Sequence, residues 1–168
     1  KKNFPNKLIF SGPKGIGKST FAKTFINHII SSDKLIKNDD KNLINYENNN
    51  FKKFFNKNYF LIDVLENKKI IDIEQIRNLI FYSQKQTLNN TARFIVIDNV
   101  EKLNKNSANA LLKILEEPFE NMNFILIHDN KYKLFETINS RCIKFNIFFT
   151  YEQTIDIVNK LLNINIKE

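Results

Sequence analysis

Two kinds of apolar pattern alternate along this chain of 168 residues. The first is the short dense run: Leu8-Ile9-Phe10, Phe60-Leu61-Ile62, Phe94-Ile95-Val96-Ile97 and Phe124-Ile125-Leu126-Ile127, with a further strand at Ile143–Ile147. Runs this short, apolar on both faces, predict strands buried within a sheet. The second pattern has helical spacing: Phe21, Ala22, Phe25 and Ile29; Ile73, Ile76, Leu79 and Ile80; Ala108, Leu111, Leu112 and Leu115; Ile155, Val158, Leu161 and Leu162. Polar punctuation supports these helices. Asp72 stands three residues before Gln75, and Thr150 three before Gln153, two capping boxes. Asn106 or Ser107 can cap the helix that Pro118 ends, and a short helix is expected around residues 133–138. Strands alternating with helices predict an α/β fold with a mostly parallel, five-stranded sheet covered by helices.

Residues 31–58 break the pattern. Asp, Asn and Lys dominate there, which predicts a solvated excursion, with a short helix near Phe51–Phe55. Composition adds bounds. At 42% hydrophobic and 12% aromatic residues, wholesale disorder is excluded. No apolar stretch approaches the roughly 18 residues of a membrane span, and no secretory leader is visible. A single cysteine, Cys142, rules out an internal disulfide or a cysteine-rich zinc site, and is expected to be a small buried apolar residue. The start at Lys1, without Met, reads as a fragment. The net charge of +8 is compatible with an anionic partner. Yet the basic residues are nearly all Lys, and the Lys/Asn/Ile bias equally fits an AT-rich genome.

Glycine usage is sharper. The chain has only 3 glycines, all between Gly12 and Gly17, where average usage would scatter about 12 along it. They form Gly12-Pro13-Lys14-Gly15-Ile16-Gly17-Lys18-Ser19, which meets G-x-x-x-x-G-K-[ST] at every fixed position, between a strand and a helix, with Thr20 following. Such a loop turns successive backbone N–H groups inward as an anion nest, and the helix behind it adds its positive end. Lys18 then reaches the β- and γ-phosphates of a nucleotide, and Ser19 offers its hydroxyl to Mg²⁺. A chance match in a tight turn is the plainer alternative, which the strand–loop–helix context opposes.

The run Phe94–Ile97 delivers Asp98 to the C-terminal edge of a strand, where open α/β sheets bind ligands. That position suits a carboxylate holding Mg²⁺ through water; a turn-capping Asp is the alternative. Many loop ATPases follow this Asp with a Glu that activates the attacking water. Here the residue is Asn99, and an amide cannot act as a base. Glu101, two positions on, is expected to point elsewhere. The chain therefore reads as a binder of Mg-nucleotide more than as a hydrolase.

Longer motifs carry a resemblance. Val100-Glu101-Lys102-Leu103-Asn104, then Ala108-Asn109-Ala110-Leu111-Leu112-Lys113-Ile114-Leu115-Glu116-Glu117-Pro118, resembles the A-N-A-L-L-K-x-L-E-E-P signature of bacterial clamp-loader AAA+ subunits. Thr137-Ile138-Asn139-Ser140-Arg141-Cys142 resembles their T-I-x-S-R-C motif, and Leu8–Ser19 and Ile73–Arg77 fit in order and distance. The likeness spans roughly residues 7–150. It implies a P-loop AAA+ core over residues 1–149, with residues 150–168 beginning a lid domain.

The resemblance further implies ATP and Mg²⁺ as cofactors, without zinc. It implies partnership with other clamp-loader subunits (gamma/tau and delta), with a sliding clamp and with primed DNA, in the bacterial cytoplasm and away from membranes. Arg141 is then implied to be an arginine finger, its guanidinium reaching the γ-phosphate in a neighbour's site. A surface Arg at a strand entry is the alternative. Asn99 and the lack of cysteines in residues 31–58 depart from the gamma/tau motor branch, and Ser140-Arg141-Cys142 departs from delta. The intact phosphate loop keeps a self-sufficient motor ATPase as the second reading. The small polar sensor expected after the fourth strand is unassigned at His128-Asp129-Asn130.

Overall fold

A computed structural model of the chain describes residues 5–32, 58–84 and 92–162. The polar excursion and its expected short helix lie almost wholly outside these residues. Five strands form one sheet among the described residues: β1 (Lys7–Gly12), β2 (Tyr59–Ile62), β3 (Arg93–Ile97), β4 (Met122–Asp129) and β5 (Ile143–Asn146). Their order across the sheet is β2-β3-β4-β1-β5, and every pairing is parallel. All C-terminal strand ends thus share one edge. The helices are α1 (Lys18–Ser32), α2 (Ile73–Gln84), α3 (Lys105–Glu116), α4 (Glu136–Asn139) and α5 (Tyr151–Leu162), with a 3-10 turn at Val100–Lys102.

Alternation along the strands separates two cores. Leu8, Phe10, Phe94, Val96, Ile125 and Ile127 face Ala22 and Ile26 of α1. Ile9, Ile95, Ile97, Phe124 and Leu126 face the other way, onto Ile76 and Leu79 of α2, Leu111 and Leu115 of α3, and Ile138 of α4. Period-two side chains buried on both faces make the three layers. No helix among the described residues is long and apolar enough to cross a membrane.

Both capping boxes form. Gln75 N–H donates to Asp72 Oδ1 at 3.1 Å while Asp72 N–H donates to Gln75 Oε1 at 3.2 Å. Thr150 and Gln153 exchange the same pair of bonds at 3.0 and 3.3 Å, opening α5. The cap of α3 differs from expectation. It is Asn104, whose Oδ1 accepts from Ser107 N–H at 2.8 Å, and not Asn106 or Ser107. The first turn of α3 is polar, so the apolar spacing begins a turn late. Ser107 is instead buried, donating its hydroxyl to Ile71 O at 3.0 Å.

Two further features concern exposure. β5 is an edge strand with every residue exposed. Phe21, on the apolar spacing of α1, is half exposed, although its ring meets Phe10 edge-on at 5.2 Å and stacks on Phe25 at 6.1 Å. Arg93 is buried at the start of β3 and donates to the Tyr82 and Ser83 carbonyls at 3.0 and 3.2 Å, satisfying the C-terminal end of α2.

Candidate phosphate-binding site

Strand β1 and helix α1 are joined by the turn that carries the glycines. Gly15 and Gly17 sit at φ +85° and +88°, a left-handed conformation that disfavours any Cβ. Gly12 is needed for another reason: a Cβ there would lie 2.3 Å from the Ile147 carbonyl oxygen. Pro13, Lys14, Gly15 and Gly17 are exposed, Ile16 is half-buried, and Thr20 is exposed on the first turn of α1. Phe21 N–H is the first to bond back, to Gly17 O at 2.8 Å. The amides of Lys18, Ser19 and Thr20 therefore precede the helical ladder and lie at its positive end. No acidic side chain stands in that first turn to compete with an anion.

Lys18 is buried, and its ammonium donates to Gly12 O at 2.9 Å and Pro13 O at 2.7 Å. One of its three donors stays uncommitted. Ser19 and Lys18 lie near enough to the Asp98 carboxylate to favour its charged form, so the loop after β1 and the end of β3 meet across the tip of β4. Asp98 is held above the usual carboxylate range. Burial is the main cause and the nearby Asp63 charge the second, against the opposing pull of Ser19, the Asn99 N–H and Lys18. A half-buried carboxylate under like-charge pressure, beside a loop hydroxyl, is a donor set that a hard divalent cation on a polyphosphate relieves. The residues present fit Mg-nucleotide: loop amides and Lys18 for the phosphates, Ser19 and Asp98 for the metal.

Asn99 is in the left-handed region at φ 55°. Its N–H donates to Asp98 Oδ1 at 2.9 Å and its side-chain amide donates to Asp63 Oδ1 at 2.7 Å. Asp63 directly follows β2, beside Asp98. It is the site residue missed in the sequence, although Phe60-Leu61-Ile62-Asp63 repeats the pattern of Phe94–Asp98.

Glu101 reaches the tip of β4, beside Gly12. Its Oε2 accepts from Asp129 N–H at 3.1 Å. His128 is buried with both ring nitrogens engaged, Nδ1 with Ser11 Oγ at 2.9 Å and Nε2 with Tyr132 O at 3.0 Å. A carbonyl only accepts, so Nε2 carries the proton and Nδ1 accepts from the Ser11 hydroxyl. Burial lowers the imidazole's pKa, which suits that neutral form. His128 thus braces the strand that feeds the loop and has no nitrogen to spare for a ligand. Asn130 N–H adds a bond to Gly12 O at 3.2 Å.

Arg141 lies away from this cluster, in the turn between α4 and β5. Its Nη2 pairs with Glu116 Oε1 at 2.6 Å, and its Nη1 donates to Thr137 O at 3.0 Å and Ser140 Oγ at 3.3 Å. The side chain keeps 36% of its surface in solvent. Cys142 is half-buried against the core, and burial pushes its thiol up to about 11.

A family model described as DNA polymerase III, delta subunit, matches residues 1–149. The chain belongs to the DNA polymerase III clamp-loader family. Curated relatives agree. The gamma subunit of Buchnera aphidicola subsp. Schizaphis graminum is 29% identical over 93% of this chain and 41% of its own length. The delta' subunit of Buchnera aphidicola subsp. Baizongia pistaciae is 39% identical over 48% of this chain and 24% of its own length. This clamp-loader chain thus spans less than half of the relatives it matches. Among solved structures, a gamma subunit-related protein from Thermotoga maritima superposes with a TM-score of 0.63 over 95% of this chain and 46% of its own, at 18% identity. The RuvB branch-migration motor of the same organism gives 0.55 over 96% of this chain and 45% of its own, at 18% identity. Both likenesses establish the fold, a P-loop AAA+ core.

Proposed function

We propose that the chain is the nucleotide-binding core of a delta-prime-type clamp-loader subunit. It seats Mg-ATP or Mg-ADP on the loop Gly12–Thr20, turns it over poorly, and presents Arg141 to the ATP site of a neighbouring subunit. In that assembly, with gamma/tau and delta subunits in the bacterial cytoplasm, it assists loading of the sliding clamp onto primed DNA. Residues 150–168 begin the lid of the same subunit.

The observation that carries this reading is the side chain after Asp98. Asn99 has no basic atom for a water proton, and its amide is already given to Asp63. Bound Mg²⁺ would screen the phosphate charge, and the part of this chain is to orient it with Ser19 and Asp98. The exposed guanidinium of Arg141 supports action outside its own fold, since it lies apart from Lys18, Ser19 and Asp98. The scarcity of Arg adds little by itself, because Arg93, at the start of β3, has a structural task in closing the end of α2.

A self-sufficient motor ATPase is the second reading. It draws on the complete phosphate loop and on Asp63, a carboxylate beside Asp98. The full-length protein alone separates the two. It should bind Mg-nucleotide with negligible turnover. Assembled with motor subunits, Arg141→Ala should lower the turnover of the assembly and Lys18→Ala should matter less. Robust hydrolysis by the isolated full-length protein, abolished by Lys18→Ala, refutes the proposal.

A further inference from the structure

We infer that Glu116 is a positioning residue for Arg141, fixing the plane of its guanidinium for an anionic group on a neighbouring subunit. This rests on the reading above, that Arg141 acts in trans. Arg141 sits in a turn, and its bonds to Thr137 O and Ser140 Oγ hold one nitrogen only, Nη1. A single anchored nitrogen leaves the flat head free to pivot. Glu116 supplies the second anchor, 2.6 Å from Nη2. Two anchored nitrogens define the plane. The fork has five N–H donors, so Nε and one hydrogen of Nη2 remain for an outside acceptor.

The location of Glu116 argues that its carboxylate serves Arg141 and not its own helix. It is the last residue of α3, where the negative end of the macrodipole disfavours an acid. Lys113 already provides the basic side chain that this last turn favours. Both partners are partly solvated, at 36% and 49%, and a pair so exposed adds little to folding stability. Its contribution is therefore geometric. Water also screens the carboxylate, so it competes weakly with an arriving phosphate while still orienting the fork.

The test is steady-state ATP turnover by the full-length chain assembled with its motor subunits. Glu116→Ala should lower kcat by roughly 2- to 5-fold, the span of an exposed ion pair, with KM for ATP and the thermal midpoint unchanged. Glu116→Gln keeps an acceptor at the same reach and should recover part of the loss. In an Arg141→Ala background, Glu116→Ala should have no further effect. If Arg141→Ala leaves turnover unchanged, the trans reading itself fails. If Arg141→Ala lowers turnover while Glu116→Ala leaves it unchanged or raises it, only the positioning role is overturned. An equal loss from Glu116→Ala with and without Arg141 overturns it too.

Discussion

Replacing Gly12 by Ala puts one methyl group into a contact that the sheet has already closed. The new carbon would lie 2.3 Å from the Ile147 carbonyl oxygen and 3.3 Å from its carbonyl carbon. A carbon and a carbonyl oxygen approach no nearer than about 3.3 Å without strain, so the strands must part by about 1 Å. Ile147 cannot yield alone, because its N–H donates to Ser11 O at 2.7 Å, one residue before the glycine. Overpacking of this kind costs about 1–3 kcal/mol, and for a chain of this length that lowers Tm by roughly 3–10 °C. Gly17→Ala is the control. Nothing lies within 4 Å of its Cβ, so its penalty comes only from φ +88°, about 1–2 kcal/mol. Both variants should weaken nucleotide binding, but only Gly12→Ala should loosen β1 from the β5 edge. Hydrogen exchange at the Ile147 amide reads that difference: protection falls in Gly12→Ala and holds in Gly17→Ala. A Gly12→Ala protein with the parent's Tm and an equally protected Ile147 amide would refute the steric argument.

Two other groups give separate tests. Burial and then the Asp63 charge raise the Asp98 pKa, so the folded state binds that proton more readily than the unfolded chain does. The charged form is thus a burden at neutral pH, relieved as pH falls towards the unfolded carboxylate value. Asp98→Asn should raise Tm in EDTA at pH 7, lose that advantage near pH 4, and remove the Mg²⁺ dependence of nucleotide affinity. A lower Tm than the parent's at pH 7 would contradict the electrostatic account. Cys142, with its thiol at about 11, holds little thiolate at pH 8. Its reaction with a disulfide reagent should run on the order of 10²-fold slower than that of a free thiol, and urea should restore the free rate. A native rate equal to the unfolded one would contradict the burial.

The sheet was legible because its strands are buried on both sides. Such strands must be apolar at every position, and Phe94–Ile97 and Phe124–Ile127 are. β5 is legible for its length but not for its exposure. An edge strand holding Ile143 and Phe145 in solvent looks, in sequence, like one packed on both faces. The phosphate loop was legible for a different reason: left-handed backbone and close strand approach both exclude a Cβ, and the chain uses glycine nowhere else. The α3 cap was missed because Asn104 lies a full polar turn ahead of Ala108, the first apolar residue of the spaced pattern.

Asp63 was hidden by reading one strand end in isolation. In a parallel sheet each strand delivers its following residue to the same edge, so two apolar runs each ending in Asp predict a pair of neighbouring carboxylates once β2 and β3 are known to be adjacent. Ile62 does pair with Ile97. Asn99 then acquires a meaning beyond the missing base. Its backbone lies at φ 55°, where Asn is tolerated far better than most side chains. Its amide also gives the half-buried Asp63 a donor, in company with the Val64 N–H at 2.6 Å. A Glu at this position would bring a third carboxylate against Asp63 and Asp98, on a strained backbone, and would leave Asp63 without its amide partner. The Asn99–Asp63 pair is therefore a single unit, and the expected outcome of Asn99→Glu alone is no gain of ATP turnover by the isolated protein.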